Sequence, residues 1–532
     1  MCFNGLNLRQ ISITHHLLLV SADSLKERFA YKLFSNTISF VVSFILAGLV
    51  PRALGVDNYG SYNFLISVIT QILLFIELRT SYCFFTKLSQ RPKEISLQVF
   101  YGYCVLSIFC IFILVISTFS FTALNKIVFI DQAHRYVLFA TGVVFISWVN
   151  NLLGQMMDAY GKTIWLEKVQ ILFKVLSCCL LLLLAYTHYL DLDKYFVFQY
   201  ATQGILSVIF ISYLRKKHEF SLFIRIPKEL FVRYLNEFYQ YCAPLFFYIL
   251  IGLVSQFSDR WILQYYGGSY QQGLYSFSFA LSNLCIMITT AMLPLLQREV
   301  AIHASSKNID GMASLFKNLV PPIYGITSFL CAFVFIHADL IVSFFGGVKY
   351  LDAITILQIV SLYPLIYAYG NLHSTFFYAT SRTKTYLILA IITTPFSIFG
   401  SYFFMSHGNV LGLGMGGKGL ALKELIIGAF NCFVYLIVNL RYLRIHKGKY
   451  LLHLFIVPVV FILFGYTTRE FVNVLIMKEQ LITFIMVSGI LYTALSIMSV
   501  WMSPQLLGID RKMLNNHWHN TAMYLKDQFS RG

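Results

Sequence analysis

A chain of 532 residues that is 58% hydrophobic and only 12% charged, with a mean hydropathy of +0.70, carries too little charge to cover the surface of a soluble protein, which averages about 25%. Its net charge of +17 does not point to nucleic acid, because Lys and Arg gather in short segments between apolar blocks and form no basic stripe with spaced aromatics. The 10 cysteines include no CxxC pair and read as small apolar fillers rather than disulfides or metal ligands.

Residues 1–24 hold one short apolar stretch, Ile11–Val20, broken by His15 and His16. They read as an N-terminal cytoplasmic tail rather than a signal peptide. Beyond them the apolar blocks are about twenty residues long, the length a helix needs to cross roughly 30 Å of hydrocarbon. They are apolar on every face, unlike the striped helices of soluble proteins. Fourteen spans are predicted, near 32–50, 61–80, 100–120, 136–156, 168–187, 195–214, 240–262, 273–296, 317–338, 352–379, 384–405, 417–440, 451–469 and 479–502. Pro364 and Gly370 break the overlong tenth, and Asp259 and Arg260 interrupt the seventh. The expected fold is all-α and membrane-embedded: six helices over 25–214, a basic cytoplasmic linker over 215–239, six more over 240–440, two added helices over 441–505, and a tail over 506–532. The linker's Lys and Arg suit an anionic leaflet.

With the N-terminus inside, the inner segments hold 29 Lys and Arg and the outer segments 9, Lys423 among them; Lys174 and Arg260 lie within spans and complete the 40. That bias places both termini in the cytoplasm. No outer loop exceeds about twenty residues, so no sizeable domain is expected outside. An internal repeat accompanies this layout. Gly60-Ser-Tyr62-Asn-Phe64 returns as Gly273-Leu-Tyr275-Ser-Phe277, each copy following an Arg across a short polar turn. Such repeats often build transporters whose substrate path runs between the halves.

Gly412-Leu-Gly-Met-Gly-Gly417-Lys418 matches the spacing of a phosphate loop, but Gly419 follows where Ser or Thr is required, and no preceding strand or soluble domain is present. No HExxH or G-x-S-x-G motif stands out, and His517-x-His519 reads as a solvated helix end. No catalysis and no cofactor are expected. Charges in or beside spans carry more information, since a charge in a membrane usually faces a polar cavity or a partner. They are Glu77 and Arg79 at the end of span two, Asp158 closing span four, Lys174 inside span five, Asp259 and Arg260 in span seven, and Arg298 and Glu299 after span eight. For those at span ends the alternative is snorkelling to the headgroups. Asp259 and Arg260 equally fit pairing with charges on neighbouring spans. A cluster of cations in a cavity can replace water around a phosphate or diphosphate. An acid such as Glu77 or Asp259 can then hold a proton or sodium ion and change its pull on those cations.

At these positions the chain resembles the polysaccharide-transporter branch of the MOP (MATE-like) exporter superfamily, the Wzx O-antigen flippase type. Pro51-Arg52-Ala-Leu-Gly55-Val-Asp-Asn-Tyr59-Gly60-Ser-Tyr62 is similar to that family's turn after the first helix. Pro244, Asp259-Arg260, Gly273-Leu-Tyr275, Met292-Leu-Pro294 and Arg298-Glu299 are similar to its seventh and eighth helices, and Gly416-Gly-Lys-Gly419-Leu-Ala421 with Glu424 to the start of its twelfth. Gln155 and Gly161-Lys162 fit the segment after its fourth helix more loosely. Where the family has a small residue after the acid of helix two, Leu78 and Arg79 follow Glu77.

The resemblance implies two six-helix lobes around a central cleft, two added C-terminal helices and alternating access. It implies a multi-pass protein of the bacterial inner membrane that moves an undecaprenyl-diphosphate-linked oligosaccharide through a cationic lumen. Candidate substrate contacts are Lys174, Arg260, Arg79, Arg52 and Arg298; candidate ion-coupling acids are Glu77, Asp259, Asp158 and Glu424. Membrane lipids, H+ or Na+, and polysaccharide polymerase and chain-length proteins are the implied partners, with no nucleic acid. Three rival readings remain open. A MATE-like antiporter would favour an acidic, aromatic pocket, a lipid II flippase differs in the precursor it moves, and a polytopic glycosyltransferase, polymerase or ligase would need a large outer loop.

Overall fold

In hydrocarbon no water satisfies the backbone, so each apolar block must pair its own N–H and C=O groups, and a helix does so within one segment. The computed structural model describes residues 25–92, 94–130, 132–187, 189–216, 226–380, 382–407, 411–475 and 480–508, and these form helices joined by short connections. The longer ones are α1 (Leu25–Leu54), α2 (Val56–Glu77), α3 (Thr80–Gln90), α4 (Ile95–Phe121), α5 (His134–Ala159), α6 (Thr163–Tyr186), α7 (Leu192–Lys216), α8 (Lys228–Asn283), α9 (Met287–Ser305) and α10 (Ile309–Ile336). They continue with α11 (Ala338–Gly346), α12 (Ile354–Val360), α13 (Tyr363–Ala379), α14 (Thr383–Met405), α15 (Gly416–Tyr442), α16 (Lys447–Leu475) and α17 (Leu481–Met502).

Among the described residues, 12 stretches are long and apolar enough to cross a membrane, and each matches one of the fourteen expected blocks. The other two blocks, 240–262 and 273–296, lie in α8 and α9, outside that set of 12. Large apolar side chains such as Leu172, Val208 and Ile490 stand 62%, 64% and 66% exposed on these helices. In water they would be a liability; against acyl chains they are the solvent-facing surface. The chain is an all-helical, multi-pass membrane protein.

Two compact units are present. One comprises the described residues up to Leu46 together with Leu65–Leu253, the other Ala47–Phe64 together with those from Val254 onward. The first has a core around Phe84, Phe100, Tyr101, Met157, Phe210 and Leu214. The second has a core around Phe316, Val320, Leu372, Phe376, Leu436 and Leu440. Within the second unit the two copies of the Gly-x-Tyr-x-Phe repeat meet. A Cβ on Gly60 would lie 1.8 Å from the Ser269 carbonyl oxygen, and one on Gly273 would lie 2.1 Å from that of Val56. Backbones this close admit only glycine. Ser61 and Ser269 add a hydroxyl hydrogen bond of 2.8 Å beside the crossing.

Several expectations need correction. The backbone stays helical through Asp259 and Arg260, and α8 breaks instead at Gly268, with φ 66°; Asp259 has a buried partner, so its charge does not disturb the helix. The tenth block breaks at Ser361–Leu362. Pro364 opens α13 in its first turn, where the missing N–H is harmless, and Gly370 lies inside that helix. Helix α8 starts at Lys228, inside the stretch 215–239 expected as a linker; residues 1–24, 217–225 and 509–532, including His517 and His519, lie outside the described residues.

Candidate functional site

Three helices of the second unit bring polar groups together. Ser397 and Ser401 on α14, and Ser255 and Asp259 on α8, are each four residues apart and so share a helix face. The pairs meet: Ser255 and Ser397 lie 3.4 Å apart through their hydroxyls, and the Ser401 hydroxyl donates to Asp259 Oδ1 at 2.5 Å. From α15, Lys423 Nζ donates to Asp259 Oδ1 and Oδ2 at 2.7 and 2.8 Å, and to Glu424 Oε1 at 3.1 Å. Counting charge by loops put Lys423 in an outer segment, although the predicted block 417–440 contains it. It is instead buried two turns into α15, because Asp259 supplies the counter-charge that burial demands. The available signal was the neighbouring Lys423-Glu424 pair inside an apolar block, which mirrors Asp259-Arg260.

Arg260 turns another way. Its Nη1 donates to Ser276 Oγ at 3.1 Å, and its guanidinium lies 4.9 Å from the Tyr275 ring centre and 5.8 Å from that of Phe279. Both rings sit on α8 beyond Gly268, and Tyr275 belongs to the repeat. Among the described residues no carboxylate forms an ion pair with Arg260. Its charge is held by ring faces and one hydroxyl, an arrangement worth about 0.5–2 kcal/mol depending on desolvation.

The remaining candidates do not join this cluster. In the first unit, Lys174 Nζ donates to Ser39 Oγ on α1 at 2.7 Å and has no ion-paired carboxylate among the described residues. Glu77 is buried and accepts the backbone N–H groups of Arg79 and Ser81 at 3.0 and 2.6 Å. It thus satisfies the start of α3, where Leu78 and Arg79 both take positive φ. The Arg79 guanidinium lies 5.0 Å from the Tyr82 ring centre. Asp158 accepts from the Thr163 hydroxyl at 2.8 Å and pairs loosely with Lys32 at 3.9 Å. In the second unit, Arg52 donates to the carbonyls of Ser343 and Phe344 at 3.2 and 2.6 Å, closing the C-terminal end of α11 in the manner favoured for cations. Arg298 is 71% exposed and pairs with the adjacent Glu299 at 3.2 Å. Of the nine candidates, the structure brings Asp259, Glu424 and Arg260 into one region.

The glycine-rich segment before α15 is a turn, with Gly414 and Gly416 at φ 62° and 53°. The N–H of Gly417, which a phosphate loop would offer to an anion, is taken by Gln271 Oε1 at 3.0 Å. Among the described residues no group of His, Cys, Asp and Glu side chains could hold a metal ion. Next to the polar stripe of α14, an open groove of about 760 Å³ is lined by Trp261, Tyr265, Tyr266, Pro395, Phe399 and Tyr402.

No family model matches the chain, and no curated protein matches it in sequence. Solved structures do. The lipid II flippase MurJ in an inward closed conformation superposes with a TM-score of 0.64 at 14% identity, over 89% of this chain and 98% of MurJ. A multidrug resistance MATE family transporter of the MOP superfamily superposes in its inward-facing conformation with a TM-score of 0.56 at 15% identity, over 81% of this chain and 98% of its own. An outward-facing form gives 0.52 at 15% identity, over 80% and 97%. These likenesses show that the chain shares its fold with MurJ and with the MATE transporter.

Proposed function

We propose that this chain is a flippase that carries a polyprenyl-diphosphate-linked oligosaccharide, a repeat unit of O-antigen, capsule or a related polysaccharide, from the cytoplasmic to the outer leaflet by alternating access. One observation carries the reading. Arg260 lies in a block expected from the sequence to cross the membrane, held by aromatic rings and a serine hydroxyl, with no ion-paired carboxylate among the described residues. An uncompensated charge in such a place is expensive, and a diphosphate supplies both the missing charge and oxygens that suit the planar fork. Lys174, bonded to Ser39, is a second cation of this kind. The oligosaccharide follows the headgroup while the polyprenyl tail stays in lipid.

The 29 to 9 distribution of Lys and Arg supports fourteen spans with both termini in the cytoplasm. The setting is then the inner membrane of a bacterium, beside the polymerase and chain-length proteins that use the product. Ion coupling is assigned to the Asp259–Glu424 pair. Glu77 and Asp158 are left out because their oxygens serve the starts of α3 and α6. Lipid II is the second reading, favoured by the superposition on MurJ across 89% of this chain.

Deleting the gene in its host is expected to make one lipid-linked oligosaccharide build up on the cytoplasmic side, and mass spectrometry identifies it. Build-up of lipid II selects the second reading. Arg260→Ala and Lys174→Ala should each abolish rescue at normal protein levels, and Arg260→Lys should restore only part of it, since an ammonium lacks the fork. Full rescue by both alanine variants removes the cationic route.

A further inference from the structure

Lys423 takes no part in holding the anion proposed above, yet its side chain is only 2% exposed, against 12% for Asp259 and 28% for Glu424. An ammonium has three N–H donors, and three carboxylate oxygens stand within reach of it, at 2.7, 2.8 and 3.1 Å. The surroundings fit its stem. A Cβ on Gly400 of α14 would stand 3.3 Å from Lys423 Cγ, so glycine there leaves the lysine chain its room. Ser401 completes the set with a hydroxyl on Asp259.

Two carboxylates, Asp259 buried and Glu424 partly exposed, and a buried hydroxyl are the oxygen donors that a hard metal cation takes. In this chain the position is filled from within. We propose that Lys423 is a tethered cation that occupies the coupling site, so that sodium is excluded from it and transport does not draw on a sodium gradient. The inference rests on the transport reading above and narrows its coupling ion. A tethered group competes at an effective concentration on the order of millimolar or more without leaving the protein, and all three of its donors are already matched. A sodium ion would have to strip those bonds and leave a second cation buried beside it. Removing the lysine reverses the balance, because two acids facing a hole in the bundle need a replacement charge.

The test is thermal unfolding of the purified full chain in detergent, in sodium chloride against choline chloride at equal ionic strength. The wild-type midpoint is expected to be the same in both salts. Lys423→Ala is expected to melt lower in choline and to regain a saturable upward shift with sodium, and Lys423→Ala/Asp259→Asn to lose that shift. A sodium-specific rise in the wild type that Asp259→Asn abolishes overturns the proposal. So does a Lys423→Ala protein indifferent to sodium, lithium and potassium. If Lys423→Ala does not fold, Lys423→Asn takes its place, and the wild-type arm can overturn the proposal unaided. No substrate enters these measurements. A failed sodium test therefore leaves the flippase reading standing, and absence of an accumulating precursor in the deletion strain sinks that reading while leaving the tethered cation intact.

Discussion

Leu78 and Arg79 hold φ 52° and 60° in succession, a left-handed step that disfavours side chains by roughly 1–2 kcal/mol each. Glu77 offsets it by accepting the two N–H groups that the break exposes. Arg79→Gly is therefore expected to raise stability by about 1 kcal/mol, and Glu77→Ala to lower it by about 1–3 kcal/mol, the penalty of leaving buried donors unmet. Thermal unfolding of the two variants checks both signs, and equal destabilisation by both would show that Arg79 matters for its charge instead. The buried pair gives a sharper cycle. Lys423→Met alone leaves Asp259 uncompensated and should lose about 3–5 kcal/mol, while Lys423→Met/Asp259→Asn should recover most of it.

At the level of elements, the repeat is a packing device as well as a pattern. The carbonyls of Ser269 and Val56 already fill the space beside Gly60 and Gly273, so Gly60→Ala or Gly273→Ala must push two backbones apart. Each is expected to destabilise by about 1–3 kcal/mol, and an unchanged melting midpoint for both would mean that the crossing is not as tight as it stands here. A second tie works by charge. Glu237 on α8 receives Arg91 Nη2 at 2.6 Å and Arg233 Nε at 3.2 Å, with Lys87 at 3.8 Å, all within the first unit. Burial by itself would raise the Glu237 carboxyl, but the Arg91 hydrogen bond and the charges of Arg91 and Lys87 outweigh it and hold it below the ordinary carboxylate range. With the folded value below an unfolded one of about 4.3, the tie contributes fully above that pH and fades as pH falls through the folded value. Melting midpoints should be level in pH near neutrality on this account, and Glu237→Gln should lower them there while flattening the fall in acid.

For the whole molecule, the layout is open to a direct check. Single cysteines replacing Lys126 and Ser306 in a background without reactive thiols are expected to differ toward a membrane-impermeant maleimide in intact cells, Lys126→Cys labelling from outside and Ser306→Cys only after permeabilisation. The reverse pattern would invert the topology. Much of this scale was legible in the sequence. Span length answers to bilayer thickness, a local property that a single chain displays, and loop charge yields the expected orientation that the labelling tests. Twelve of the fourteen blocks appear as helices long and apolar enough to span, with bounds that differ from the expected ones by at most 8 residues. The fate of individual charges was not legible. Lys423 and Asp259 are 164 residues apart, and loop counting assigned the lysine to the outside. Glu77, a candidate ion-coupling acid, and Arg52, a candidate substrate contact, each bond backbone groups at a helix end, which the sequence alone does not display. Composition determined that the chain lives in a membrane and how its helices are spaced. Only the tertiary structure decided which charges have a partner and which partner it is, because the energy of a buried ion depends on the partner beside it in space, and neighbours along the chain do not reveal that partner.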